Sequence, residues 1–346
     1  MAIMGVIILH VFYMWPNPEI MNLKIYSFRQ IFMYAVPLFL MLTGALMLNR
    51  EIELKSFFKS KLPRIIYPFM FYLIIHLCII LLMLHFFGHS EILDTYISVI
   101  PFKYNWYFWL ILGVYITLPV INKFVQSSSM KEIEYFIGVL FVGSIFYQIM
   151  FIFNLDQHIN LNFIICPVAY LVLGYYLSHK DFGMSSGKII TISIILFIAM
   201  TLIKMAGGNG DVPFDYVSGF DITTTSRVAT RIDLSIFELI HVSALFLMIR
   251  YLFESRTGIY AKIRGFFEKN SIVKLYTSIS RSSYGMYLFN RTLLIPIEIA
   301  VATLTLTGSQ VCGLILILAV GATLIVWLVV LVFHKIPFIN RYCGYH

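Results

Sequence analysis

The chain has 346 residues, of which 60% are apolar or aromatic and only 12% charged, with a mean hydropathy of +0.87. An ordinary soluble domain carries roughly 25% charged residues, so this composition excludes a protein that covers itself with water-compatible groups. The net charge of +8 does not mark a nucleic-acid binder, because most basic residues fall in connectors on one side of the arrangement derived below.

A hydrocarbon core about 30 Å thick needs roughly 20 apolar residues per span. Backbone groups in lipid must be satisfied within the segment, so such runs are helices. The pattern predicts an all-α, polytopic membrane helical bundle of about ten transmembrane helices, near residues 1–14, 30–48, 65–87, 105–122, 135–153, 162–178, 187–205, 234–253, 284–303 and 310–333. Cytoplasmic loops carry the Lys/Arg excess. Starting the chain in the cytoplasm places 18 of the 25 basic residues in inside connectors, among them Lys61, Arg64, Lys180, Arg250 and Lys274. Both termini are then cytoplasmic, and 1–346 reads as a single integral-membrane domain in a cell (cytoplasmic) membrane. The first segment meets the turn Trp15-Pro16-Asn17-Pro18 too early for a full span, so it is either a half-span or, the preferred expectation, the remainder of a helix whose true start lies upstream of Met1. The longest outer connector, 206–233, carries Asp211, Asp215, Asp221 and Asp233 and is expected to fold over an outer cavity. Cys78, Cys166, Cys312 and Cys343 lack CxxC spacing and imply no disulfide framework or metal site. No HExxH, P-loop or GxSxG is present, so zinc hydrolysis and phosphoryl transfer find no support.

Ionisable groups at membrane depth are costly, and each is a functional candidate. His10 follows Ile7-Ile8-Leu9 and reads either as an interfacial histidine bonded to a carbonyl or as a general base for a sugar hydroxyl. Glu238 and His241 are three apart and share a helical face. They either neutralise each other between helices or line the outward half of a cavity, with Asp233 above. Arg291 keeps its proton and needs an anionic ligand or a carboxylate, for which Glu238 is the candidate. Lys204, near an outer helix end, is expected to snorkel. Arg64 abuts the apolar run of the third segment, where a guanidinium can hold phosphate bidentately. Tyr104, Trp106 and Trp109 fit an interfacial aromatic belt.

Several stretches together resemble one family, the integral-membrane acyltransferase family 3, whose members O-acylate surface glycans. Gly5-Val6-Ile7-Ile8-Leu9-His10 is similar to the end of its first helix. Val36-Pro37-Leu38-Phe39-Leu40-Met41-Leu42-Thr43-Gly44 is similar to its VPLFFxxSG stretch. Phe57-Phe58-Lys59 through Arg64-Ile65-Ile66-Tyr67-Pro68 resembles its basic lead into the third helix. Trp106-Tyr107-Phe108 with Tyr115 and Pro119, and Ser282-Ser283-Tyr284-Gly285-Met286-Tyr287-Leu288-Phe289, resemble two further motifs. The likeness runs in order along the whole chain. Two departures stand out: the family's first-helix Arg falls before Met1, and Asn290 stands where members often have His, a position on which catalysis is not expected to depend.

The resemblance implies an acyl-CoA-dependent O-acyltransferase with no bound cofactor, acyl-CoA (acetyl-CoA being the commonest donor) serving as co-substrate. His10 would be the catalytic base or a transient acyl carrier, and Arg64 would bind the acyl donor. Glu238, His241, Arg291, Trp106 and Tyr284 would line the cavity. Partners would be membrane lipids and an extracytoplasmic glycan or glycolipid acceptor, with no nucleic acid; homo-oligomerisation and association with polysaccharide-synthesis proteins stay open. The alternatives are a transporter or flippase for a glycan or lipid-linked sugar, using the same buried charges, and a non-catalytic scaffold.

Overall fold

The structure, a computed structural model, describes residues 1–12, 28–88, 106–152, 167–207, 235–302, 304 and 308–346. Trp15–Pro18, Lys103, Tyr104, Cys166 and nearly all of the outer connector, including its four aspartates, lie outside the described residues. Among the described residues the regular structure is helical throughout. The α-helices are α1 (Ala2–Phe12), α2 (Ala35–Met47), α3 (Leu54–Phe87), α4 (Trp106–Ser127), α5 (Met130–Ile152), α6 (Pro167–His179), α7 (Ser186–Gly207), α8 (Ile236–Glu254), α9 (Gly258–Phe267), α10 (Asn270–Ala302) and α11 (Gly308–Lys335). Short 3-10 turns at Gln30–Phe32 and Ile339–Arg341 precede α2 and follow α11.

By length and apolarity, six described stretches can cross a membrane: Gln30–Met47, Leu54–Phe86, Trp106–Ser127, Ser186–Ala206, Ile236–Glu254 and Gly313–Lys335. α1 and α6, at 11 and 13 residues, are shorter than a span. Both are wrapped by other helices: nine of the eleven residues of α1 are buried, as befits a helix apolar all round its circumference. α10 has the length, but Asn290, Arg291 and Glu298 interrupt its apolar half. The lipid-facing surface is visible as exposed apolar side chains on the outer helices, including Leu81, Val142, Ile195, Ile317 and Leu328. Without water there, such faces carry no penalty, and helices pack instead through close backbone approach. The clearest case is α2 against α6. A Cβ on Gly44 would collide with the Leu171 carbonyl, and one on Gly174 with the Met41 carbonyl, so the two glycines let the backbones touch.

α3 begins eleven residues before the predicted segment, absorbing the basic stretch Phe57–Arg64 into the helix. Pro63 and Pro68 sit inside it. Proline lacks an N–H and crowds the carbonyl four residues back, so Pro68 releases the Arg64 carbonyl from the helical ladder. The end of the chain uses this gap, and a second side chain bonds beside it. His346 Nε2 lies 3.1 Å from the Arg64 carbonyl, and the Tyr284 hydroxyl donates to the neighbouring Ile65 carbonyl at 2.8 Å.

At the same end of the bundle, polar contacts join the helix ends. Asn122, on α4, accepts from the Asn49 N–H at 2.7 Å and donates to the Arg50 carbonyl at 2.6 Å. Arg250 donates from α8 to the Leu177 and Lys180 carbonyls, and Lys180 pairs with Glu134 at 2.6 Å. The chain after α11 folds back here: Tyr72 donates to the Cys343 carbonyl at 2.9 Å, and Gly285 is so close to Cys343 and Gly344 that a side chain would not fit. Burial, aided by the charges of Arg64 and Lys61, holds the His346 imidazole below the ordinary histidine range, against the opposing pull of the Arg64 carbonyl.

Candidate active site

His10 lies in the last turn of α1 and is buried. α1 reaches this depth because Gly5 meets α2 at Ala35: a Cβ on Gly5 would stand 3.0 Å from the Ala35 Cβ. The imidazole Nδ1 is 2.5 Å from Oδ1 of Asn290, a fully buried residue of α10. The Asn290 amide nitrogen donates to the Met286 carbonyl at 3.1 Å and to the Tyr287 carbonyl. Those two bonds use both amide hydrogens and turn Oδ1 toward His10. A carbonyl oxygen only accepts, so Nδ1 must carry the ring proton, and the neutral imidazole keeps its lone pair on Nε2. Catalysis was expected to be independent of position 290; the structure places Asn290 directly on His10.

From this pair a run of phenols leads back to the basic end. Tyr287 faces His10 with ring centroids 6.4 Å apart, and Tyr107 stands edge-on to Tyr287 at 5.0 Å. Tyr284 lies within electrostatic reach of both, and Tyr115 within reach of Tyr107, Tyr284 and Arg64. Arg64 itself is exposed at the start of the run. Tyr115 also stacks on Phe57 at 6.2 Å. Trp106, half-buried, opens α4 one residue before Tyr107. His10, Asn290, Tyr287, Tyr107, Tyr284, Tyr115 and Arg64 thus form a seam of neighbouring side chains between α1, α3, α4 and α10.

Glu238 and His241 occupy a second cluster, between α7 and α8. Both are fully buried, with Glu238 Oε2 3.5 Å from His241 Nδ1. Lys204 is not snorkelling: it is buried and pairs with Glu238 Oε2. An ammonium on a helix facing a carboxylate at the same depth loses less by pairing than by stretching to the surface. Thr201 sits 3.1 Å from His241 Nε2 while donating to the Phe197 carbonyl, so its oxygen accepts from the ring. Phe197 stacks on His241 at 4.4 Å, and Tyr34 meets it edge-on at 6.1 Å.

The anticipated Glu238–Arg291 pairing does not form, since Lys204 takes the carboxylate. Arg291 is half-buried on α10 and belongs with α3, where its charge acts on His76. The His76 imidazole is 2.9 Å from the Thr292 hydroxyl. The predicted site residues therefore divide into three groups. Sequence reading missed Tyr107 and Tyr287 as members of the seam, although both fell within quoted motifs. It also missed Thr201 and His76, whose partners are 40 and 216 positions away.

Residues 1–334 match the model of a family described as "Acyltransferase domain", which bears out the resemblance drawn from the five sequence stretches. No curated protein and no solved structure matches the chain.

Proposed function

The chain belongs to the acyltransferase domain family, and from that premise we propose that it is a membrane O-acyltransferase. It moves an acyl group, acetyl in the commonest case, from acyl-CoA to a hydroxyl of an extracytoplasmic glycan or glycolipid. The observation that carries this reading is the His10–Asn290 pair, a buried imidazole held in the tautomer that leaves Nε2 as a base.

In this reading, the acceptor hydroxyl gives its proton to His10 Nε2 as its oxygen attacks the thioester carbonyl. The tetrahedral intermediate collapses, the C–S bond breaks, and the imidazolium returns its proton to the leaving CoA thiolate. No net proton is gained or lost. A base of this kind contributes about 10²–10⁴-fold. Arg64, at the exposed end of the tyrosine seam, would hold donor phosphate from the basic side. Tyr284, Trp106 and Arg291 would line the cavity, and the Glu238–His241 cluster would flank it on the outward side. The full arrangement is a ten-span bundle in the cell membrane with both termini cytoplasmic, so that donor and acceptor enter from opposite faces.

Acyl transfer is tested in membranes carrying the chain, with labelled acetyl-CoA and His10→Ala in parallel. Label entering extracytoplasmic glycan, and absent in His10→Ala, is the expected result. A correctly inserted protein that transfers no label from any common acyl-CoA overturns the proposal.

A further inference from the structure

α9 has a side that its packing within the bundle leaves uncovered. With 3.6 residues per turn, Ile259, Ile263, Phe266 and Phe267 fall on one arc of the helix. They are 67%, 38%, 53% and 39% exposed. The bundle is met by another arc: the Tyr260 hydroxyl is 3.1 Å from that of Thr191 on α7, and Arg264 donates to the Ser255 carbonyl at 3.0 Å. Lys262 and Lys269 border the apolar arc. Both are exposed and neither is paired with a carboxylate among the described residues. Lys269 Nζ lies 5.3 Å above the Phe266 ring, its stem lying along the apolar edge. Arg256 and Lys274, also exposed, flank the helix in sequence.

We propose that α9 is an interfacial helix that binds an anionic phospholipid surface. Its apolar arc sits among the upper acyl chains, and Lys262, Lys269, Arg256 and Lys274 meet the lipid phosphates. Two facts favour lipid over a soluble partner. Residues 255–257 and 268–269 tie α9 to α8 and α10, and α8 is long and apolar enough to span, so the helix cannot leave the membrane boundary. The combination of an apolar arc with cations at its edge is the pattern by which amphipathic helices lie in the headgroup region of anionic bilayers. The inference requires only that the chain is a membrane protein and holds whether or not it transfers acyl groups.

The test uses the full chain in nanodiscs of phosphatidylcholine alone and of phosphatidylcholine with phosphatidylglycerol, reading amide hydrogen exchange over 258–269. Slower exchange with phosphatidylglycerol is expected. The difference should shrink as salt screens the charges, and again in Lys262→Gln/Lys269→Gln, whose spanning amides report an intact fold. In a second variant, Phe266→Glu, exchange should quicken in both compositions. Equal or faster exchange with phosphatidylglycerol at low salt overturns the proposal.

Discussion

The side-chain amide of Asn290 has two N–H groups and one carbonyl, and α10 itself takes up both N–H groups. Its carbonyl is therefore committed to His10 before any substrate arrives. Replacing Asn290 with Leu keeps the branched heavy-atom shape but removes the acceptor, so His10 can adopt the other tautomer. If His10 is the base, turnover in Asn290→Leu should fall about 10²-fold or more with KM for acyl-CoA little changed. Asn290→Asp, which still accepts, should recover most of it. Equal turnover in the wild type and Asn290→Leu would remove Asn290 from the proposed chemistry. The Lys204–Glu238 pair obeys a different logic, because a buried charge left without its partner costs about 3–5 kcal/mol, whereas replacing both charges with apolar groups can be neutral. Lys204→Met alone should lower the thermal unfolding midpoint in detergent, and Lys204→Met/Glu238→Leu should restore it. A double variant no more stable than the single one would contradict this account of the cluster.

The α2–α6 crossing depends on backbone contact at two glycines, and that makes its energetics steep. A methyl group at Gly44 meets the fixed Leu171 carbonyl rather than a side chain that can move. Gly44→Ala should therefore sharply reduce the folded fraction seen by size-exclusion chromatography. Gly113→Ala, with nothing near its Cβ, should match the wild type. If the two variants behave alike, close packing at Gly44 is not what holds the helices together. Helix positions were largely legible in the sequence because lipid forces each apolar run to form its own hydrogen bonds: α4, α7, α8 and α11 fall within a few residues of their predicted segments. The early start of α3 was not legible, since its basic first turns and two prolines look like a connector until His346 is seen on the Arg64 carbonyl that Pro68 releases. α9 was missed because a short amphipathic helix has too few apolar residues to register as a span. Within the candidate site, His10 and Arg64 were singled out from motif and position. The orientation of His10 by Asn290 was not, because the two lie 280 positions apart and only tertiary packing brings them together.

Across the whole molecule, charge is distributed by end rather than by element. The connectors after α2, α4, α6 and α8, together with the tail after α11 and the adjoining helix ends, collect eighteen basic residues against seven acidic ones, Glu51, Glu53, Glu132, Glu134, Asp181, Glu254 and Glu268. Hydrogen bonds from Asn122, Arg250 and His346, with the Lys180–Glu134 pair, tie these connectors to one another, so they must share a side whatever that side is. Since Lys and Arg in short loops are retained in the cytoplasm, that end should face inward, where acyl-CoA would meet Arg64. Met184→Cys and Thr257→Cys place thiols on two of these connectors at exposed positions. Neither should react with a membrane-impermeant maleimide in intact cells beyond the background of the native cysteines, and both should react once the cells are permeabilised. Labelling of both in intact cells would invert the orientation and put the Arg64 end on the acceptor's side. Labelling of only one would break the shared-end arrangement itself, and with it the separation of donor and acceptor faces.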